Sequence, residues 1–149
     1  MAYPFILRVL LCAVAGVVLL AVTGFRRPAA ASDRADDVRT VVSAAKSALG
    51  TRYRLGGASR RGFDCSGLTM WAWSHADVSL PHSARLQHRA TDHVRRRRLE
   101  RGDLLFFYRP ISHVAIYLGH GRMIHANHIG GSVRRSDVLW GHFTDGGRP

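Results

Sequence analysis

Cysteine is scarce in this chain, with two in 149 residues, which excludes a small scaffold held by several disulfides. Acids are few as well, ten against 22 lysines and arginines, so the formal net charge is +12. There is no internal repeat, no Gly-X-Y pattern and no low-complexity tract, which excludes solenoid and fibrous architectures. Neither C-x-x-C nor H-E-x-x-H occurs, so the zinc sites those spacings encode are missing. What is present suits a folded protein. Hydrophobic residues make up 46% of the chain, too many for wholesale disorder, and the length allows one domain and not comfortably two.

One long apolar run stands out. Val9 to Phe25 is seventeen residues without a charge, preceded by Arg8 and followed by Arg26, Arg27, Pro28 and Ala29-Ala30-Ala31-Ser32. A positive start, an apolar core and an A-x-A site describe a secretory signal peptide cleaved after Ala31, with a retained membrane helix as the alternative. Both deliver the remainder outside the cytoplasm, as a secreted, wall-associated or membrane-anchored protein. Cys12 lies inside the run and reads as one more small hydrophobe. Removing residues 1–31 takes three arginines and no acids, leaving 118 residues, a net charge of +9 and one cysteine, Cys65. A lone cysteine in an exported protein either pairs between molecules or works as a free thiol.

Over residues 35–49, Val38, Val41, Val42, Ala45, Ala48 and Leu49 recur at helical spacing, with acids in the first turn and Gly50 as a stop. A Gly-rich connection over 51–64 holds a short extended piece around Tyr53. A second helix starts at Cys65, with Leu68, Trp71, Ala72 and His75 on one face. Pro81 precedes a short third helix over 83–90. The pattern then turns to strands at 104–108, 113–118, 122–126 and 133–138, and the Gly-rich tail from Gly141 reads as loose. Helices first and antiparallel strands second predict an α+β domain over 32–149.

A cysteine nucleophile must be a thiolate, and Cys65 at a helix start would lie near the positive end of the dipole. Histidines on the hairpin are candidate bases. If the turn occupies Gly119–Gly121, residue 113 faces 127 and residue 115 faces 125, so His113 and His125 share one face as diagonal neighbours. A two-residue turn would put them on opposite faces. The pairing therefore requires a three-residue turn or a bulge.

Four segments resemble the NlpC/P60 cysteine peptidases: Gly62-Phe63-Asp64-Cys65-Ser66-Gly67-Leu68, Gly102-Asp103-Leu104-Leu105-Phe106-Phe107, Ser112-His113-Val114-Ala115-Ile116-Tyr117-Leu118-Gly119 and Met123-Ile124-His125-Ala126. Their order is that of the family, and the likeness runs from about residue 38 to 138. The resemblance implies a papain-like α+β fold, with N-terminal helices packed on an antiparallel sheet. It also implies hydrolysis of peptidoglycan stem peptides between D-isoglutamate and diaminopimelate. Within it, Cys65 resembles the nucleophile, His113 the base and His125 the residue that orients the base. Tyr53 resembles a tyrosine whose hydroxyl lies beside the nucleophile. Asp64 and Ser66 resemble residues that help hold the amine of a free N-terminal L-alanine. Departures fall in the cleft: Leu55 where an aromatic is common, and His82 and Ala84 where arginine and serine are common, with Gln87 kept.

His120, His125 and His128, with Cys65, invite a zinc count, but their spacing fits scattered histidines better, so no metal and no organic cofactor is expected. Arg95, Arg96, Arg97 and Arg98 read as a solvated loop, or as an attraction to anionic cell-wall polymers. Nucleic acid is not expected, because no motif carries stacking aromatics. The protein is expected to act as a monomer. The rival functions are an N-acetylmuramoyl-L-alanine amidase or acyl transferase on the same thiol, and a non-catalytic wall-binding module.

Overall fold

A computed structural model describes residues 29–129 and 131–149. The apolar run and Cys12 lie outside the described residues, and the expected cleavage point after Ala31 falls within the first helix. That helix, α1 (Ala29–Ser47), starts earlier than its periodicity predicts, so Asp33, Asp36 and Asp37 lie past its first turn and no acid sits there. Val41, Val42, Ala44 and Ala45 form its buried stripe, continued by Ala48 in the turn that follows. No helix among the described residues is long and apolar enough to cross a membrane.

Two short strands, β1 (Ala58–Ser59) and β2 (Gly62–Phe63), pair antiparallel ahead of α2 (Cys65–Ser74). The inward face of α2 is turned from the expected one. Leu68, Thr69, Ala72 and Trp73 are buried, whereas Trp71 is half-buried and His75 exposed. The outer pair stacks edge-on, with ring centroids 4.6 Å apart. Helix α3 (Ala84–Arg89) is capped by Ser83, whose hydroxyl accepts from the Leu86 N–H.

The remaining strands are β3 (Asp92–Val94), β4 (Leu104–Phe107), β5 (His113–Gly119), β6 (Arg122–Asn127), β7 (Ser132–Asp137) and β8 (Phe143–Arg148). They form one antiparallel sheet in the order β3-β8-β4-β5-β6-β7. The tail from Gly141 is therefore not loose, since β8 is an interior strand between β3 and β4. Its glycines permit this. A Cβ on Gly147 would lie 2.2 Å from Thr91 Oγ1, and one on Gly146 would lie 2.6 Å from Leu99 Cδ2. Composition alone suggested a flexible end, whereas the missing side chains let the neighbouring segments close over the strand.

The sheet is covered on both faces. Leu104, Phe106, Val114, Ile116, Ile124 and Ala126 pack with α1 and α2. Leu105, Phe107, Ala115 and Met123 pack on the other side against Leu99, Tyr117, Trp140 and Phe143. This explains the unbroken apolar run of β4, which is buried at every position. The fold is the expected α+β type.

Candidate active site

Cys65 is the first residue of α2, and the turn before it is built around Asp64. The Asp64 side chain caps the helix, with Oδ1 accepting from the Gly67 N–H at 2.7 Å, the Ser66 hydroxyl at 3.2 Å and His82 Nε2 at 2.9 Å. Its Oδ2 accepts from the Gly56 N–H at 2.8 Å. Gly67 is required by close packing, because a Cβ there would lie 2.0 Å from the Gly57 carbonyl oxygen. Gln87, fully buried, then ties α3 to this turn by donating from Nε2 to the Ser66 carbonyl at 2.9 Å and the Pro81 carbonyl at 2.8 Å.

The helix start does not decide the thiol's charge. Burial pushes the Cys65 thiol up from its ordinary value, and the neighbouring Asp64 carboxylate adds to this. Backbone N–H groups, first that of Val114, act in the opposite direction without prevailing. The shift runs opposite to the expected lowering: desolvation outweighs the backbone N–H groups, and the thiol is held above its ordinary value. Cys65 packs with the helix-side core and meets β5 near its first residues, through Val114.

The hairpin follows the bulge alternative: Gly119 pairs with Arg122, so the turn is the two residues His120 and Gly121. Ile116 pairs with Ile124 and Tyr117 with Met123, and a bulge between Tyr117 and Gly119 absorbs the extra residue. Carried further, that register sets Ala115 opposite His125 and brings His113 to the same face. The two rings meet: His113 Nε2 lies 2.8 Å from His125 Nδ1, with centroids 5.0 Å apart. Burial, then His125 and His128, lowers the His113 pKa to about 3. Burial, then Arg134, lowers that of His125 to about 4. Both imidazoles are neutral at pH 7. On the far side of His125, Nε2 lies 3.3 Å from Ser136 Oγ. Ser136 on β7 escaped sequence reasoning, because its place in the chain of contacts depends on the β6–β7 register, in which Arg134 faces His125.

A cleft of about 650 Å³ opens at the thiol, with Tyr53, Asp64, Cys65, Ser66, His82 and Arg85 among its lining residues. Tyr53 is held by backbone pairing beside Phe63 and stands edge-on to His128 at 6.1 Å. Burial and the nearby Cys65 and Asp64 raise its pKa, so the hydroxyl stays protonated and able to donate. Leu55, at the cleft rim, is 83% exposed. His82 also escaped the sequence reading as a site residue; it occupies the expected arginine position and turns inward onto Asp64. A larger groove, of about 810 Å³, is remote from the thiol and is lined by Arg95, Arg97, Arg98 and Arg148 together with Asp92, His93 and Glu100.

His120, His125 and His128 do not converge with Cys65 into a set of metal ligands. Among the described residues, the three groups that converge in this way are His88, His93 and Asp145.

The helices packed on a two-faced antiparallel sheet, with a half-buried cysteine at a helix start and paired histidines on a neighbouring ribbon, define a papain-like α+β domain. Residues 50–145 match the NlpC/P60 family, and the chain belongs to it. It is similar to a probable endopeptidase of Mycobacterium tuberculosis, at 44% identity over 98 residues, covering 66% of this chain and 26% of that protein. It is also similar to the bifunctional muramidase/DL-endopeptidase CwlT of Bacillus subtilis, at 38% over 116 residues, covering 74% of this chain and 35% of that one. The chain thus spans between a quarter and about a third of the length of these two relatives. Among solved structures, the peptidoglycan hydrolase RipB of M. tuberculosis superposes with a TM-score of 0.75 at 33% identity, over 83% of this chain and 69% of that one. The P60 domain of a Mycobacterium avium subspecies paratuberculosis antigen gives 0.73 at 30%, over 78% and 96%.

Proposed function

We propose that this domain is an exported cysteine endopeptidase of peptidoglycan stem peptides, cutting the amide between D-isoglutamate and diaminopimelate. The observation that carries the proposal is the 2.8 Å contact between His113 Nε2 and His125 Nδ1, with Val114, the residue after His113, packed in the same core as Cys65. The contacts imply a proton arrangement. With His113 Nε2–H donating to His125 Nδ1, and His125 Nε2–H donating to Ser136, His113 Nδ1 is left free to accept. Cys65 Sγ attacks the amide carbon as His113 Nδ1 takes its proton, and His113 returns that proton to the leaving amine. Water then hydrolyses the thioester. Backbone N–H groups at the start of α2 and the Tyr53 hydroxyl are the donors for the developing oxyanion. Asp64 and Ser66 are placed in the cleft wall to meet a substrate amine, and His82 is the neighbour such an amine would have to share or displace. Arg85 and Arg89, also in the wall, suit a peptide bearing carboxylates.

The relative named as a DL-endopeptidase supports the choice of bond. Arg95, Arg97 and Arg98 would hold the enzyme to anionic wall polymers through the larger groove, while Arg96 is engaged over the Trp140 ring at 3.9 Å. The test is incubation of the protein with purified muropeptides and identification of the products by mass. A new amine on diaminopimelate, lost by at least about a thousandfold in Cys65→Ala, is the expected result. A free lactyl carboxylate would make the enzyme an amidase instead. Full activity of the Cys65→Ala protein would end the thiol mechanism.

A further inference from the structure

We propose that His88, His93 and Asp145 form a binding site for one divalent transition-metal ion, zinc by ligand chemistry, which pins α3 to β8. The three come from separate elements: His88 near the end of α3, His93 on β3, and Asp145 on β8. Their ligand atoms all lie within 4.8 Å of one another. His88 Nε2 is 3.1 Å and His93 Nδ1 2.7 Å from the same oxygen, Asp145 Oδ2. The sheet register makes this convergence firm. Asp145 faces Phe106 across β4, and His93 faces Gly147, two residues along, so both project on one side of the sheet. His88 is held over that side by its edge contact with the Phe106 ring, at 5.0 Å between centroids.

The second layer around the cluster is also in place. Asp145 Oδ1 accepts from the Gly146 N–H at 2.9 Å, which turns Oδ2 toward the imidazoles. Gly147, where a Cβ would strike Thr91, lets the α3–β3 connection lie close enough for two histidines five residues apart to converge. Two imidazoles and one carboxylate suit zinc, with water as the fourth ligand. Ion entry is open, because the His93 side chain is 59% exposed and those of His88 and Asp145 are 22% and 29% exposed. On binding, each imidazole presents a lone pair where it now places an N–H, and the displaced proton leaves through solvent. The consequence reaches the cleft, since Ala84, Arg85, Leu86 and Arg89 of the same helix line the wall beside Cys65.

The test uses the whole chain carrying Cys12→Ala and Cys65→Ala, so that neither thiol can take metal, after removal of metal by chelation. Calorimetric titration with zinc should show one ion per chain. Saturating zinc should raise the melting temperature by about 5–10 °C at a hundredfold excess over Kd. His93→Gln, at an exposed edge position, and Asp145→Asn should each weaken zinc at least tenfold and remove the thermal shift. Cobalt should give a ligand-field absorption band that His93→Gln abolishes. Absence of saturable one-to-one binding, or binding that both substitutions leave unchanged, overturns the proposal. Neither outcome bears on the hydrolase reading.

Discussion

At Cys65 two effects oppose each other, and their balance sets the chemistry. Its place at the start of α2 favours a thiolate, yet burial and Asp64 raise its pKa. The same desolvation holds His113 neutral down to about pH 3 and His125 down to about pH 4. The resting groups are thus a neutral thiol and a pair of neutral imidazoles, and neither carries a charge at pH 7. In the proposed mechanism attack requires His113 to remain unprotonated, and its lowered pKa keeps it so over the whole range where an ordinary histidine would titrate. We expect kcat/KM for muropeptides to hold as pH falls through 6.5, the ordinary histidine value, and to decline only toward pH 4, where His125 and then His113 take protons. A rate profile with its acid limb centred near the ordinary value would show that the imidazoles are more hydrated in the working enzyme than their burial allows.

The elements are joined by one buried carboxylate. Asp103, fully buried before β4, accepts from Arg148 Nε at 2.9 Å and Arg148 Nη2 at 2.9 Å on β8, from Arg34 Nη2 at 3.0 Å on α1, and from the Glu100 N–H at 2.8 Å. The hydrogen bonds from Arg148 to this carboxylate hold the Arg148 pKa above its usual value. Asp103→Ala would take from Arg34 and Arg148 the acceptor they share, leaving them Glu100 and backbone carbonyls, and lower unfolding stability by about 2–3 kcal/mol, read from the urea midpoint. A loss below about 1 kcal/mol, the range of exposed pairs, would mean that α1 and β8 dock without this junction. The same residues show how far the sequence can be read. Strands β4, β5 and β6 were legible because their apolar residues must fill two packed faces. Cys65, His113 and His125 were legible as candidates through motif order, whereas hairpin parity left the pairing of the two histidines open until the bulge beyond Tyr117 decided it. Strand β8 was not, since Phe-Thr-Asp-Gly-Gly-Arg carries no alternation and its pairing depends on what its glycines admit. His82 and Ser136 were not legible either. Their roles are contacts to Asp64 and His125 across elements, and no local spacing encodes them.

For the whole molecule, nine histidines and few acids make acid pH the severe condition, and the two site histidines give it a sign. In the unfolded chain each imidazole takes a proton near 6.5, but in the folded domain only near 3 for His113 and near 4 for His125. The folded values are lowered, so the unfolded chain binds protons first as pH falls. Stability is at its full value above the ordinary histidine range and is lost on descending toward the folded values, below which this contribution levels off. At about 1.4 kcal/mol per pH unit, each imidazole costs about 2 kcal/mol between pH 6.5 and 5, where carboxylates are still largely ionised. The urea midpoint measured at pH 7, 6 and 5 should therefore fall steadily, by an amount equivalent to about 4 kcal/mol in total if the two sites act independently. A His113→Asn, His125→Asn double variant should flatten that slope. Should the wild-type midpoint stay level across this interval, the ring pair would have to be accepting protons in the folded state, and the hydrogen-bond chain from His113 through His125 to Ser136 would be broken between pH 7 and 5.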